Sequence, residues 1–354
     1  MNKKNNILIA GPLPPPAGGI SIHIERLHHL LSADFNVDLI DESPQQKQGL
    51  FNIRSGNVFG YLKKMKQCEL VFIHSGNRLF KKIHILTALL LRKKILLTLH
   101  GYGHKRNGIM RWYDSFLFNK AHGIILVNEG IFQKLHLNKA ICKVRHAFLP
   151  PVMENEPVLP PQIKDFIGEA RSKQKTIICG NASRLDTFNN QDLYGLDMFV
   201  TLAQALQQNN CQAAFIFNVS ALDAGKDRFD KALKEIQAHG LEQDFLLLNE
   251  KISFSRLIES SDIMLRPTNT DGDSLSIREG LFLEKKVITS DAVSRPEGCI
   301  LFKTRDNEDL LKKVEMTLAA VNKEAATPTQ NTGKQDDLLD FYQQIITDIL
   351  NPKK

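Results

Sequence analysis

Three acids stand close together in the run Leu265–Leu281, LRPTNTDGDSLSIREGL: Asp271, Asp273 and, seven intervening residues beyond Asp271, Glu279. One carboxylate in a loop and another in the first turn of a helix could grip separate hydroxyl groups of a sugar-like ligand, while the helix amides face a phosphate. Gly272 lets the backbone come close to such a ligand. Other chemistries compete for the same residues. Ser276-Ile277-Arg278-Glu279 fits a capping box, with Glu279 bonding back to its own helix start. Asp271-Gly272-Asp273 is an Asp-x-Asp that could hold a divalent ion on a diphosphate. A calcium loop fails, because ligands at Asn269, Asp271 and Asp273 would put the template's glycine at Ser274 and its closing glutamate at Gly280.

Four other positions could act on a ligand. Arg184 follows an apolar run, and its planar fork suits two diphosphate oxygens; an ion pair with Asp186 or Asp192 is the plain alternative. His74 and His100 each end a predicted strand, where a histidine serves structure as readily as catalysis. Gly18-Gly19, after Pro12, Pro14, Pro15 and Pro16, would let a pyrophosphate or an acceptor approach a helix N-terminus, or is a plain turn. That loop is neither GxGxxG nor a Walker loop.

The elements that must position these residues alternate. Apolar runs predict strands at 6–11, 35–41, 69–74, 94–99, 123–127 and 143–149, with helices near 20–31, 58–67, 79–92, 109–119 and 130–137 between them. After the proline-rich stretch 149–162, which reads as a linker, strands are expected near 176–179, 213–218, 245–248, 262–265, 286–290 and 298–302. Helices are expected near 196–208, 226–239, 255–260, 276–282, 308–322 and 338–350. Such alternation argues for parallel sheets covered by helices on both faces. It places His74, His100, Arg184 and Asp271 at the carboxyl edges, where ligands bind in open α/β sheets.

The 354 residues suffice for two domains, and 42% hydrophobic with 24% charged residues is a globular composition. The net charge of +7 conceals an asymmetry: residues 1–150 hold 22 Lys and Arg against 8 Asp and Glu, leaving 24 against 31 in the remainder. A basic half suits an anionic partner such as a membrane, a lipid phosphate or nucleic acid. The helix near 79–92 carries Leu79, Ile83, Leu86 and Leu90 at core-like spacing, flanked by Arg78, Lys81, Lys82 and Arg92; it reads as a buried helix with solvated lysines or as a basic face on anionic lipid. Nucleic acid is disfavoured by the single tryptophan, Trp112, and the few aromatics near the basic runs. The five cysteines have no metal-ligand spacing and read as reduced thiols of a cytoplasmic protein. No apolar run approaches the length of a membrane span.

These residues resemble the nucleotide-sugar glycosyltransferases of family 4, of the surface-polysaccharide type. The match spans nearly the whole chain through Gly18-Gly19, His100, Arg184 and the Asp271–Glu279 segment. The family's signature is two glutamates seven residues apart, and here Asp271 replaces the first. The resemblance implies an α/β fold of two facing Rossmann-like domains (GT-B architecture) with an interdomain cleft. Residues 1–150 would form the acceptor domain, 163–325 the nucleotide-sugar domain, and 336–350 a helix packing back on the first. It implies catalytic roles for His100, Asp271 and Arg184. The implied donor-binding set is Gly18, Gly19, Arg184, Tyr194, Asp271, Asp273, Ser274, Leu275 and Glu279, with Glu279 on the ribose hydroxyls and Asp271 on those of the transferred sugar. One departure is that the lysine the family uses on the diphosphate is absent, and Tyr194-Gly195 stands there instead.

The implied reaction is retaining transfer from a UDP- or GDP-sugar, without a metal, to a lipid-linked or growing polysaccharide. The diphosphate would take the acceptor's proton in a front-face substitution. The expected location is the cytoplasm, peripheral on the inner face of the plasma membrane. A catalytically silent lipid-binding scaffold and a nucleotide-sugar epimerase are the alternatives.

Overall fold

A computed structural model of the chain describes residues 4–15, 18–102, 108–222, 225–270, 274–321 and 333–352. The chain divides into two compact units, one of Met1–Leu149 with Asn331–Lys354, the other of Pro150–Gln330.

The first unit runs β1 (Asn6–Gly11), α1 (Gly19–Ser32), β2 (Asn36–Asp41), α2 (Val58–Gln67), β3 (Leu70–Ile73), α3 (Arg78–Leu90), β4 (Lys94–Leu99), α4 (Gly108–Phe118), β5 (Gly123–Leu126) and β6 (Cys142–Val144). Its six strands are all parallel, in the order β2-β1-β3-β4-β5-β6. A strand covered on both faces must be apolar throughout. In β1, Leu8 and Ala10 join the core on one face with Val71 and Ile73, while Ile7 and Ile9 join the other with Leu70 and Phe72.

The second unit begins with α5 (Pro161–Ser172) and β7 (Thr176–Arg184). A small antiparallel hairpin follows, β8 (Thr187–Phe188) and β9 (Gln191–Asp192), turning through Asn189 and Asn190, both at positive φ. Then come α6 (Leu196–Gln208), β10 (Ala213–Ala221), α7 (Lys226–Ala238), β11 (Phe245–Leu248), α8 (Phe254–Ser260), β12 (Ile263–Arg266), α9 (Leu275–Phe282), β13 (Lys286–Ser290), β14 (Cys299–Phe302) and α10 (Asn307–Val321). Its parallel sheet is ordered β11-β10-β7-β12-β13-β14. The last helix, α11 (Gly333–Leu350), belongs to the first unit. Leu338, Tyr342, Ile345, Ile346 and Ile349 share its apolar face and are buried in one cluster with Ile7, Ile9 and Phe72.

Four local expectations are corrected. The segment 130–137 forms a single 3-10 turn at Glu129–Ile131 rather than a helix. The last strand of the first sheet stops at Val144, because the following segment leaves the sheet for α1: the Ala147 carbonyl meets His23 Nδ1 at 2.6 Å, and Arg26 donates to the Leu149 carbonyl at 2.8 Å. Helix α5 starts within the proline-rich stretch, since proline is preorganised for a first helical turn. Its Ile163, Ile167 and Ala170 are buried. Helix α3 is turned over relative to its expected core face. It buries Lys81, His84, Ile85 and Ala88 and leaves Leu79, Leu86 and Leu90 63%, 49% and 81% exposed.

Candidate functional site

In each sheet the strand order reverses direction once, and in open α/β sheets ligands bind at the carboxyl edge beside such a reversal. In the second unit the reversal lies between β7 and β12. The loop after β7 is held by Asp192, whose carboxylate accepts from the backbone amides of Tyr194 at 3.0 Å, Gly195 at 3.3 Å and Leu196 at 3.1 Å. Burial first, then the charge of Asp197, raises the Asp192 carboxyl above its ordinary range. Gly195 has φ +71, and a Cβ there would sit 2.6 Å from the ring and the carbonyl oxygen of Pro267. Only glycine lets the two loops touch here.

Arg184 is the last residue of β7 and is exposed at the carboxyl edge, with its Nε donating to Asp186 Oδ2 at 2.8 Å. The ion pair with Asp186 is therefore present. Beside it, Tyr194 Oη lies 3.2 Å from Ser183 Oγ. The buried Arg266, last residue of β12, stacks its guanidinium 4.9 Å from the centre of the Tyr194 ring. It also donates to the Asn181 carbonyl at 3.2 Å and to Asn181 Oδ1 at 3.0 Å. Sequence reading passed over Arg266, because it follows Ile-Met-Leu and read as the first residue of a loop. The signal available was a cation directly after a buried parallel strand.

Helix α9 starts at Leu275, with Ser274 as N-cap, and the Ser274 side chain makes no capping bond. Its Oγ lies 2.9 Å from Ser276 Oγ instead. Glu279 is therefore the fifth helical residue, too far along to close a capping box, and that reading is corrected. It is 4% exposed and accepts a hydrogen bond at 3.0 Å from Ser255 Oγ on α8. No motif or spacing points to Ser255 as its partner. Beyond the strands, Arg295 donates to the Ser290 carbonyl at 3.0 Å and to Thr268 Oγ1 at 3.1 Å, joining the loops after β12 and β13. Asp271, Gly272 and Asp273 lie outside the described residues.

In the first unit the reversal lies between β1 and β3. A pocket of about 400 Å³ opens there, lined by Gly18, Gly19, Ser21, Glu42, Ser43 and Arg54 among others. Gly18 is the N-cap of α1, and its amide donates to Ser21 Oγ at 2.8 Å. Neither Gly18 nor Gly19 has positive φ, and a Cβ at Gly19 would meet nothing within 4 Å. The fold thus makes no steric demand for Gly19, and its bareness leaves backbone amides approachable from outside. Glu42 is buried beneath the pocket. It accepts from Ser75 Oγ and lies 3.1 Å from His84 Nε2, while His84 Nδ1 lies 3.0 Å from Tyr61 Oη. Asp41 accepts from the amides of Leu13 at 3.0 Å and Ser43 at 2.9 Å and pairs with Lys47 at 2.6 Å, fixing the pocket wall. His74 and His100 follow β3 and β4 as expected, with His74 Nδ1 3.2 Å from His100 Nε2.

The two units sort the expected residues into separate sets. Arg184, Tyr194, Ser274, Leu275 and Glu279 belong to the second unit, and Gly18, Gly19, His74 and His100 to the first. No protein-family model matches the chain, and no curated protein matches it. Solved structures do. HepE of Anabaena, determined in complex with UDP-glucose, is similar at 12% identity with a TM-score of 0.66, covering 97% of this chain and 99% of that one. A glycosyltransferase of Rickettsia africae is similar at 14% identity with a TM-score of 0.67, covering 99% and 100%. Sucrose-phosphate synthase of Thermosynechococcus elongatus is similar at 15% identity with a TM-score of 0.56, covering 90% and 91%. With both parallel sheets, this likeness defines the fold: two Rossmann-like domains of the GT-B class.

Proposed function

We propose that the chain is a retaining glycosyltransferase that moves a sugar from a nucleotide-diphosphate sugar to a lipid-linked or growing surface polysaccharide. The observation that carries this reading is the carboxyl edge of the second sheet where its strand order reverses. A buried carboxylate (Glu279), a buried cation (Arg266), an exposed cation (Arg184) and the start of α9 gather around one reversal of strand order. Glu279 would bind the ribose hydroxyls. Arg184, the α9 amides and Arg266 acting through Tyr194 would stabilise charge on the departing diphosphate. Preorganised donors of this kind act as the glycosidic bond stretches. The leaving diphosphate would accept the acceptor's proton on the same face, preserving the anomeric configuration without a metal. UDP- and GDP-sugars are the donor classes tested first.

The first unit supports the acceptor and the location in this reading. On α4, Trp112 is 64% exposed and stacks on the exposed Phe116, while Arg111 and Lys120 stand alongside. The neighbouring α3 turns Leu79, Leu86 and Leu90 outward beside Arg78. Apolar side chains rimmed by cations suit insertion among anionic headgroups. No described helix is long and apolar enough to cross a membrane. The reading is of a peripheral enzyme on the cytoplasmic face of the plasma membrane, with the Gly18-Gly19 pocket taking the acceptor.

The test is a thermal-shift screen with UDP, GDP, ADP and CMP, with and without a chelator. A ligand at 100 times its Kd adds about 2.7 kcal/mol. One nucleotide raising the midpoint regardless of chelator is the expected result. A shift that requires metal would return Asp271-Gly272-Asp273 to an ion-binding role. No shift with any nucleotide would leave a silent lipid-binding scaffold.

A further inference from the structure

Three imidazoles from three different elements converge at the carboxyl edge of the first sheet: His23 on α1, His74 after β3 and His100 after β4. One nitrogen from each lies within 4.8 Å of the others. The ring centres are 5.1 Å apart for His23 and His74, 5.2 Å for His23 and His100, and 5.5 Å for His74 and His100.

The proton on one of these rings follows from its partner. His23 Nδ1 lies 2.6 Å from the Ala147 carbonyl. A carbonyl only accepts, so Nδ1 carries the proton and Nε2 keeps its lone pair. That Nε2 is buried without a hydrogen-bond partner. His74 Nδ1 is engaged with His100 Nε2 at 3.2 Å, and His74 Nε2 is again buried without a partner. A buried polar atom with nothing to bond is destabilising, and two such atoms in one cluster call for a common cause. Burial also favours the neutral form of all three rings. Burial first, then the neighbouring Arg26, lowers His23 to about 4 against a raising bond from Ala147, and burial holds His74 and His100 well below the ordinary histidine range. Neutral imidazole is the form that binds metal. A histidine whose Nδ1 proton is held by a backbone carbonyl is oriented as metal-bound histidines are.

We propose that His23, His74 and His100 form a three-histidine site for a divalent transition metal of the zinc class. Nitrogen ligands select Zn, Co, Ni or Cu over Mg and Ca, which take oxygen. Zn–N bonds of about 2.0–2.1 Å put tetrahedral nitrogens roughly 3.3 Å apart. The rings need only rotate and close by at most about 1.5 Å from the 4.8 Å limit. Three protein ligands leave one coordination position for an outside atom, and the partly exposed His100 stands on the way in. Metal capture by these residues does not require that the chain transfer sugar.

The metal-free, full-length chain is titrated with Co(II), and with Zn(II) against a fluorescent chelator. One equivalent is expected to bind, with affinity falling at least tenfold in His23→Gln and in His74→Gln. Affinity should be unchanged in His28→Gln, which removes one ring of the surface pair with His29. Zinc-edge X-ray absorption on the wild-type chain needs no variant to fold, and nitrogen and oxygen neighbours near about 2.0 Å with no sulfur are expected. Absence of binding at micromolar metal would overturn the site. So would affinity that survives both histidine substitutions, or sulfur at about 2.3 Å, which would move the metal to a cysteine.

Discussion

Ser255 on α8 donates to Glu279 on α9 across 3.0 Å, so a neighbouring helix helps to aim the buried carboxylate of the second unit. A hydrogen bond to a charged group is worth about 1.5–3 kcal/mol. Ser255→Ala is predicted to weaken nucleotide binding roughly tenfold or more, with a smaller effect on kcat than on KM. Glu279→Gln should weaken it further while the fold stays intact by circular dichroism. Unchanged affinity by calorimetry in both variants would leave Glu279 with a purely structural part in α9.

Arg266 is bonded to Asn181 and stacked on Tyr194, a pairing that lysine cannot reproduce. Arg266→Lys is therefore predicted to lower donor affinity nearly as much as Arg266→Met. Tyr194→Phe, which keeps the ring, should cost little. If lysine restores full affinity, Arg266 supplies only charge.

Asp41 ties Leu13, Ser43 and Lys47 at the wall of the first pocket. Burial alone would raise its carboxyl, but the Lys47 ammonium and the hydrogen bonds from Ser43 and Leu13 outweigh it and hold the carboxyl below its ordinary value. A depressed carboxyl adds stability that is complete above its unfolded value of about 4 and disappears as pH falls through the folded value. Asp41→Asn should accordingly lower Tm at pH 7 by several degrees, with the gap to wild type narrowing below about pH 4. A gap constant over that range would show that the carboxylate's charge is not what holds the wall.

The outward face of α3 and α4 predicts that Trp112→Asp and Leu90→Glu each reduce sedimentation with vesicles containing anionic lipid, while Tm changes by no more than about 1 °C. The loss should be steepest at low ionic strength, since the charge component is screened by salt. Equal sedimentation of wild type and variants would remove the membrane from the proposal.

The parallel strands were the most legible part of the fold, because a strand buried on both faces is an unbroken apolar run, as in Leu70–Ile73 and Gly123–Leu126. Orientation about a helix axis was harder to read. In α3, leucines and lysines alternate closely enough to support either face as the core, and only burial of Lys81 and His84 decides it. Helix α5 was hidden behind prolines that also signal a linker. At the site, Arg184 and Glu279 could be picked out because each follows a strand or opens a helix in a recognisable run. Ser255 and Arg266 could not, since their meaning lies in contacts with Glu279 and Tyr194 that are 24 and 72 residues away. His23 was missed for a related reason: in α1 it read as one more helical position, and its partners come from β3, β4 and the segment after β6.

Helix α11 has an implication for how the chain is made. Its Leu338, Tyr342, Ile346 and Ile349 seal the face of β1 and β3 that holds Ile7, Ile9 and Phe72. A nascent chain emerging from the ribosome carries that greasy surface uncovered through the synthesis of the entire second unit. The second unit has its own core, built within 150–330, and can fold first. The part of the protein translated earliest would then be the last to mature, and any stall or premature stop before residue 338 would release a product with its first sheet bare, a natural client for chaperones and proteases.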